Sequence, residues 1–597
     1  MPVHSRITSI NAFATGKTPA VPIESNYVED YFNVQTFTRG LTNNGAQKVT
    51  TYVDMSQPED EGFVWHKFTG ATGPHSVATK LSPGKQIVVP TSNPGANANG
   101  TLGIGSEFLV LQDNNRLAAI ENVTLDAGGG NGAAVDFETH DDGYVVHSTD
   151  WAKQSVGNDN QLDLNLSIQF KKKKKFFDVQ TWTGNATEGH EIFHDLGCEP
   201  GMILIKNLSA DDDWLCYHKY SDTGSGGGNE PWRFYYKWND GQNRISQSPY
   251  AVKPVGTKSI LLHGAADSTT QYINYNTHKY VGYFFADAAG GFGDTGTDNA
   301  ISCGMGVVRA DRTAADAFTD CGFEPNMVWV KRREGSIDNP PRLVNTSSGW
   351  FDGFWAGDSS ERAKSPYFRT DQASQQTSWL KISNEANGFW IEDDGGQHGN
   401  LFAEGDEYIY LAVSKPQKTA KQYNIAHSGV GGTSFFQAFK GSGINRTPRE
   451  QPGFSPDMAL YRGDFFNGQS ESPYIQFKTF GNQDNINNGG IQDCQIYSRL
   501  ETNLNYGAEK SWFSGTTNFD IGLIEKGYIV NSASPYITDA NVAMYVFRKA
   551  RGFFDTIAWS YVSGGVGIQT VRHSLGVKPE FVAVKATMGP NGDYNAW

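Results

Sequence analysis

A long-period repeat, more than any single motif, limits what this chain can fold into. Phe170 is followed by five lysines, Lys171 to Lys175, and then by Phe176-Phe177-Asp178-Val179-Gln180-Thr181-Trp182. The same spacing returns at Phe547, Arg548 to Gly552, and Phe553-Phe554-Asp555 with Trp559. Downstream, His194, Leu196, Gly197, Pro200 and Lys206 match His573, Leu575, Gly576, Pro579 and Lys585. Looser copies keep only the centre: Gly322, Pro325 and Lys331, then Gly453, Pro456 and Arg462. A degenerate first copy, Gly62 to Lys67, lacks the proline in register. The intact prolines lie about 125 residues apart, a domain-sized period.

Two further markers keep the same order. One reads Gly143-Tyr144-Val145-Val146, Gly388-Phe389-Trp390-Ile391 and Gly527-Tyr528-Ile529-Val530, with Ser259 to Leu262 as the divergent member. The other is a closing apolar run ending at Phe170, Phe285, Val413 and Phe547. Runs such as "PGMILIKN" and "PNMVWVKRR" read as buried strands entered from a proline turn. Glycine supplies the permissive corner, and proline stays outside the ladder because it has no N–H to donate.

Many short strands, no good helix and no βαβ spacing predict an all-β chain. Its units are tandem antiparallel β-sandwich (jelly-roll-like) domains joined by short linkers. The boundaries fall at 1–29 for an N-terminal arm, then 30–175, 176–300, 301–418 and 419–552 for four sandwiches. Residues 553–597 begin a fifth, incomplete one. A sandwich cut at Trp597 cannot close, so this unit is expected to continue. Units of this size bury their own cores, which predicts a string of beads. The lysine run, with Ala286 to Gly291 at the corresponding place, is then a linker of solvated, self-repelling charges.

Composition narrows the function. The formal charge is -15, which argues against nucleic acid as the main partner. The five cysteines, Cys198, Cys216, Cys303, Cys321 and Cys494, are odd in number and form no CxxC pair, so free buried thiols are expected. The first thirty residues lack the apolar core of a signal peptide, which predicts synthesis in a cytoplasm without that export route. No run approaches about 18 apolar residues, so no membrane insertion is expected.

His190-Glu191-Ile192-Phe193-His194 is formally HExxH, which as a zinc site needs both histidines one helical turn apart. The segment lies in a strand-rich repeat, Pro200 stands where a longer pattern wants a third ligand, and the fifth copy has Gln569 and His573 but no glutamate. A strand ending at a turn histidine is therefore expected. Acidic groups at Asp211 to Asp213, Glu138 to Asp142 and Glu392 to Asp394 lack the spacing of a calcium loop. The run Gly224 to Gly228 lacks the strand and helix of a phosphate site. Aromatic runs at Trp232 to Tyr236 and Trp350 to Trp355 suit a core, an interface or a sugar. No catalytic, cofactor-binding or metal-binding residue is assigned.

The segment from "SIQFKKKKKFFDVQTWTGNAT" to "HDLGCEPGMILIKN" resembles a repeated module of structural, tail-fibre-like proteins of marine tailed phages, of the cyanophage type. "YVGYFFADAAGGFGDTGTDNAISCG" and "NYVEDYFNVQTFTRG" resemble that group's inter-module joint and first-module opening. The resemblance runs from about residue 24 onward. It is strong in units two and five, and weak in three and four, where the histidine is missing. It implies a non-enzymatic virion structural protein, a tail fibre or tail appendage made in the host cytoplasm. The N-terminal region would attach to other virion proteins of the tail or an adaptor. Distal repeats would meet a host cell-surface glycan or protein receptor, many weak contacts adding up. A homo-oligomer such as a trimer is plausible. The alternatives are a head fibre or capsid decoration protein, a polysaccharide-binding or depolymerising appendage, and a bacterial adhesin.

Overall fold

The computed structural model describes 26–38, 45–68, 75–85, 164–209, 214–221, 252–262, 273–309, 316–333, 403–418 and 542–556 continuously, with shorter segments between 108 and 583. Among the described residues the only helices are two three-residue 3-10 turns, and none could cross a membrane. The fold is all-β and antiparallel.

Module 1 contributes β1 (Phe32–Thr38), β2 (Gly62–Phe68), β3 (His75–Lys80) and β4 (Leu164–Lys171). Module 2 contributes β5 (Phe177–Thr183), β6 (His190–Phe193), β7 (Met202–Asn207), β8 (Leu215–His218), β9 (Ser259–Leu262) and β10 (Lys279–Phe285). Module 3 has β11 (Ile301–Val307), β12 (Pro325–Arg332), β13 (Arg342–Asn345), β14 (Gly388–Glu392) and β15 (Glu407–Ser414). Module 4 has β16 (Phe436–Gly441), β17 (Met458–Gly463), β18 (Tyr474–Phe477), β19 (Gly527–Val530) and β20 (Val542–Phe547).

One strand order recurs in one sheet of each module: opening, closing, central, fourth. It reads β1-β4-β2-β3, β5-β10-β7-β8, β11-β15-β12-β13 and β16-β20-β17-β18, some with extra edge strands. The closing strand is thus always interior, hydrogen-bonded on both edges. The repeated sequence markers land on equivalent strands: "MILIKN" is β7, and the glycine-aromatic marker is β14 and β19. Marker strands build the smaller second sheets, β6-β9 with Val252–Val255 in module 2 and Phe318–Asp320 with β14 and Lys381–Glu385 in module 3. The glycine corners hold as read: Gly197, Gly322 and Gly576 have φ of +74°, +83° and +74°, a region costly for a side chain. Pro200 lies outside its strand. Pro325 does not; it opens β12, and the register shifts between it and Met327, a bulge that spares the missing donor.

The modules are not separate beads. A single apolar cluster joins Phe63, Trp65 and Ile168 of module 1, Leu204, Tyr283 and Phe285 of module 2, and Trp329, Leu411 and Val413 of module 3. Each of modules 1 to 3 touches the other two. Phe63 and Tyr283 rings lie 5.2 Å apart, with Thr79 Oγ1 2.6 Å from the Tyr283 hydroxyl. Trp65 meets Trp329 at 5.6 Å, and His218 Nε2 lies 3.1 Å from the Tyr410 carbonyl oxygen. The reason is visible in the strands. β7 is buried at every position and β10 at every position after Lys279, whereas one face of a free bead would alternate with solvent. Such strands need cover on both faces, and the sister modules provide it. Trp65 and Trp329 are both essentially inaccessible, and truncating such a ring costs about 3–5 kcal/mol.

Candidate functional site

Among the described residues, several ion pairs gather at the joint between modules 1 and 2. At the first joint the chain leaves β4 and turns directly into β5. The Lys173 carbonyl accepts the Phe176 and Phe177 amides at 3.1 and 3.0 Å, and the Lys173 amide donates to Phe177 O at 2.9 Å. Lys175 sits at φ +64° and donates its amide to Leu196 O at 2.6 Å. Only Lys174 and Lys175 of the five lysines are exposed. The reading of a solvated linker is corrected here, because acids from distant segments converge on the run.

Lys171 pairs with Asp60 at 2.8 Å. Lys172 Nζ lies 2.8 Å from Glu61 Oε2, 3.0 Å from Asp195 Oδ2 and 3.2 Å from Asp178 Oδ1. Lys173 is buried, its ammonium 5.1 Å above the Tyr31 ring. From module 1, Lys85 donates to Glu61 Oε2 and to the Val179 carbonyl, both at 2.7 Å, and stands 3.7 Å from Asp178 Oδ1. Asp178 is wholly inaccessible. Its Oδ2 accepts the Asp195 amide and Gln180 Nε2, each at 2.7 Å, while Oδ1 makes no hydrogen bond. Burial by itself lowers both lysines. For Lys85 it prevails and the ammonium is held below its ordinary range. For Lys172 the carboxylates of Asp178, Glu61 and Asp195 outweigh it and the net shift is upward. The hydrogen bond from Lys172 holds Asp195 below the usual carboxylate range.

The formal HExxH string falls on β6, not on a helix. His190 Nδ1 faces Asn274 Oδ1 at 2.8 Å, and Glu191 accepts from Ser259 Oγ at 2.6 Å. His194 lies beyond the strand, buried against Phe284, and its Nδ1 accepts the Leu196 amide at 3.3 Å. In the fifth copy His573 Nδ1 accepts the Leu575 amide at 3.2 Å. The repeated histidine is therefore a turn cap, accepting the amide two residues on, as an Asx side chain does. Burial pushes the His194 imidazole below its usual range, against the pull of Asp178 and Asp195. Among the described residues no group of three His, Cys, Asp or Glu side chains is disposed to hold a metal ion.

At the same end of the body Tyr31, Phe176 and Phe292 meet, Phe292 lying 6.3 Å from Tyr31 and 5.4 Å from Phe176. The Glu29 carboxylate accepts the Gln417 and Lys418 amides at 2.9 and 2.5 Å, and Lys418 pairs with Asp30. The start of module 1 is thereby fastened to the segment that leaves module 3. Burial raises Glu29, in spite of Lys418.

Cys198, Cys216, Cys303 and Cys321 are free thiols; burial pushes Cys198 up to about 11. The side chains of Cys494, Asp211 to Asp213, Glu138 to Asp142, Glu392 to Asp394, Gly224 to Gly228 and Trp350 to Trp355 lie outside the described residues, as do those of Trp232 to Tyr236. Sequence reasoning missed Glu29, Glu61 and Lys85. The one available signal was Asp178, which recurs as Asp555 with Lys549 3.6 Å away.

A family model described as a domain of unknown function (DUF7483) matches residues 28–416. That range spans the shared body of modules 1 to 3, from the turn at Val28 to the end of β15. No curated protein matches the chain.

Proposed function

This chain belongs to the DUF7483 family, a domain of unknown function that spans the three-module body, and we propose, from its build and its repeats, that it is a phage virion structural protein, a tail fibre or tail appendage. It builds and binds; it does not catalyse. The N-terminal region attaches to tail or adaptor proteins, and the distal repeats face a host-surface glycan or protein. One observation carries the reading: three β-sandwich modules fuse into one body through a shared core, and the same strand order begins again beyond it. A chain built this way gains length by repetition and rigidity by burial. That suits an appendage that must hold weak binding surfaces in register. Any homo-oligomer, a trimer included, uses other surfaces than the faces already spent inside one chain.

Gold labelling of residues 1–25 on purified particles tests this. Label at the tail supports the proposal; label on the head favours a head fibre or capsid decoration protein of the same build. Label on neither overturns a virion role. Incubation with host polysaccharide is expected to leave its chain length unchanged, and shortening would overturn the non-enzymatic reading.

A further inference from the structure

We propose that Lys85 of module 1 condenses with Asp178 of module 2, with Glu61 as proton relay, to form an isopeptide bond that locks the two modules together. This inference does not depend on a virion role.

The geometry supplies the amine, the carboxyl group it would attack and a carboxylate bonded to that amine. The amine, the carboxyl group that is attacked and the relay carboxylate come from three segments that only folding brings together. Glu61 Oε2 is hydrogen-bonded to Lys85 Nζ at 2.7 Å, and Lys85 Nζ lies 3.7 Å from Asp178 Oδ1. A second bond, to the Val179 carbonyl at 2.7 Å, holds that amine beside the residue following Asp178. Asp178 is fully inaccessible and Glu61 nearly so. The two oxygens of Asp178 have different roles. Oδ2 receives two fixed donors, the Asp195 amide and Gln180 Nε2. Donors placed so can carry the negative charge that develops when the carboxyl carbon becomes tetrahedral. Oδ1 makes no hydrogen bond and faces the lysines, which makes it the oxygen to leave.

The step balances without any outside reagent. Glu61 passes one proton from the Lys85 ammonium to the Asp178 carboxylate, leaving a neutral amine and a carboxylic acid. The amine nitrogen attacks Cγ and the N–C bond forms. Glu61 takes the second nitrogen proton and delivers it to Oδ1. The C–O bond breaks, one water leaves, and Glu61 is again a carboxylate. Holding the groups in contact replaces a bimolecular encounter by an effective concentration of up to about 10⁵–10⁸ M. Lys172 lies nearer Asp178 Oδ1, at 3.2 Å, but it also donates to Asp195 Oδ2 at 3.0 Å, a carboxylate that Lys85 does not share and that favours its ammonium form. Burial favours the neutral amine at Lys85, as it does for nucleophilic lysines generally.

Mass spectrometry of the full chain tests the proposal. The intact mass is expected to fall short of the sequence mass by one water, and digestion should yield a branched peptide joining Lys85 to Asp178. Glu61→Gln and Lys85→Arg should both restore the full mass while leaving the circular dichroism of the wild type. Lys85→Arg keeps the positive charge beside Glu61 and Asp178 and removes only the attacking amine. Full mass in the wild type would overturn the proposal. So would a missing water with no branch, as from a cyclised aspartate, a branch at Lys172, or a branch that survives in Glu61→Gln.

Discussion

The joint between modules 1 and 2 and the joint that follows module 4 have one backbone and two environments. Both fold the turn with the same bonds. Phe176 and Phe177 donate to Lys173 O as Phe553 and Phe554 donate to Ala550 O, and the amides of Lys175 and Gly552 reach Leu196 O and Leu575 O at 2.6 and 2.7 Å. The histidine cap repeats in both. What surrounds them differs. Phe176 is sealed under Phe170 and Phe292, while Phe553 is 43% exposed. Tyr283 of β10 is buried against module 1, while Tyr545 of β20 is 42% exposed. The joint is therefore a property of local sequence, and its environment is a property of the neighbours it meets.

The largest test of this contrast is truncation of the paired phenylalanines. Phe176→Ala is expected to cost about 3–5 kcal/mol, as for a sealed aromatic, and Phe553→Ala about 1 kcal/mol or less. Urea unfolding of the two variants measures both; equal losses would break the distinction.

A smaller effect comes from the buried cap. The folded His194 lies below its unfolded pKa, so the unfolded chain binds the proton first. Stability is then full above about pH 6.5 and falls as the pH drops below it, by up to about 1.4 kcal/mol per pH unit. His194→Asn keeps an acceptor for the Leu196 amide and should flatten that slope, measured as the urea midpoint between about pH 5 and 7. An unchanged slope would assign the pH dependence elsewhere.

The smallest effect compares the left-handed position. Lys175 adopts φ +64° where the other joint has Gly552 at +74°. Lys175→Gly should be neutral to stabilising by up to about 1 kcal/mol, and Gly552→Ala destabilising by about 1 kcal/mol. Thermal midpoints of the two variants read the signs, and like signs would separate the joints.

The strands were legible because each short apolar run is bounded by turn chemistry, so "MILIKN" and the glycine-aromatic markers fall on strands. The packing between modules was less legible. In "YVGYFF" consecutive apolar residues signalled burial on both faces, but no local pattern names the partner. β20 reads as apolar in sequence, yet Tyr545 is exposed. The lysine run misled for the same reason. Five like charges side by side read as solvated, and the acids that neutralise them, Glu61 and Asp195 among them, sit 111 and 23 residues from Lys172. The histidine string was legible only through the repeat, since the copy at His573 keeps the cap and not the glutamate.

The Glu29 clasp on Gln417 and Lys418 has a mechanical consequence. Tension applied along the polypeptide, from the segment before Val28 to the segment after Lys418, meets that clasp together with the bonds of Asn26 and Tyr27 to Gly293 and Asp294. The body hangs from the thread like a closed loop. Pulling then loads these side-chain and turn contacts together with the sheets' own ends.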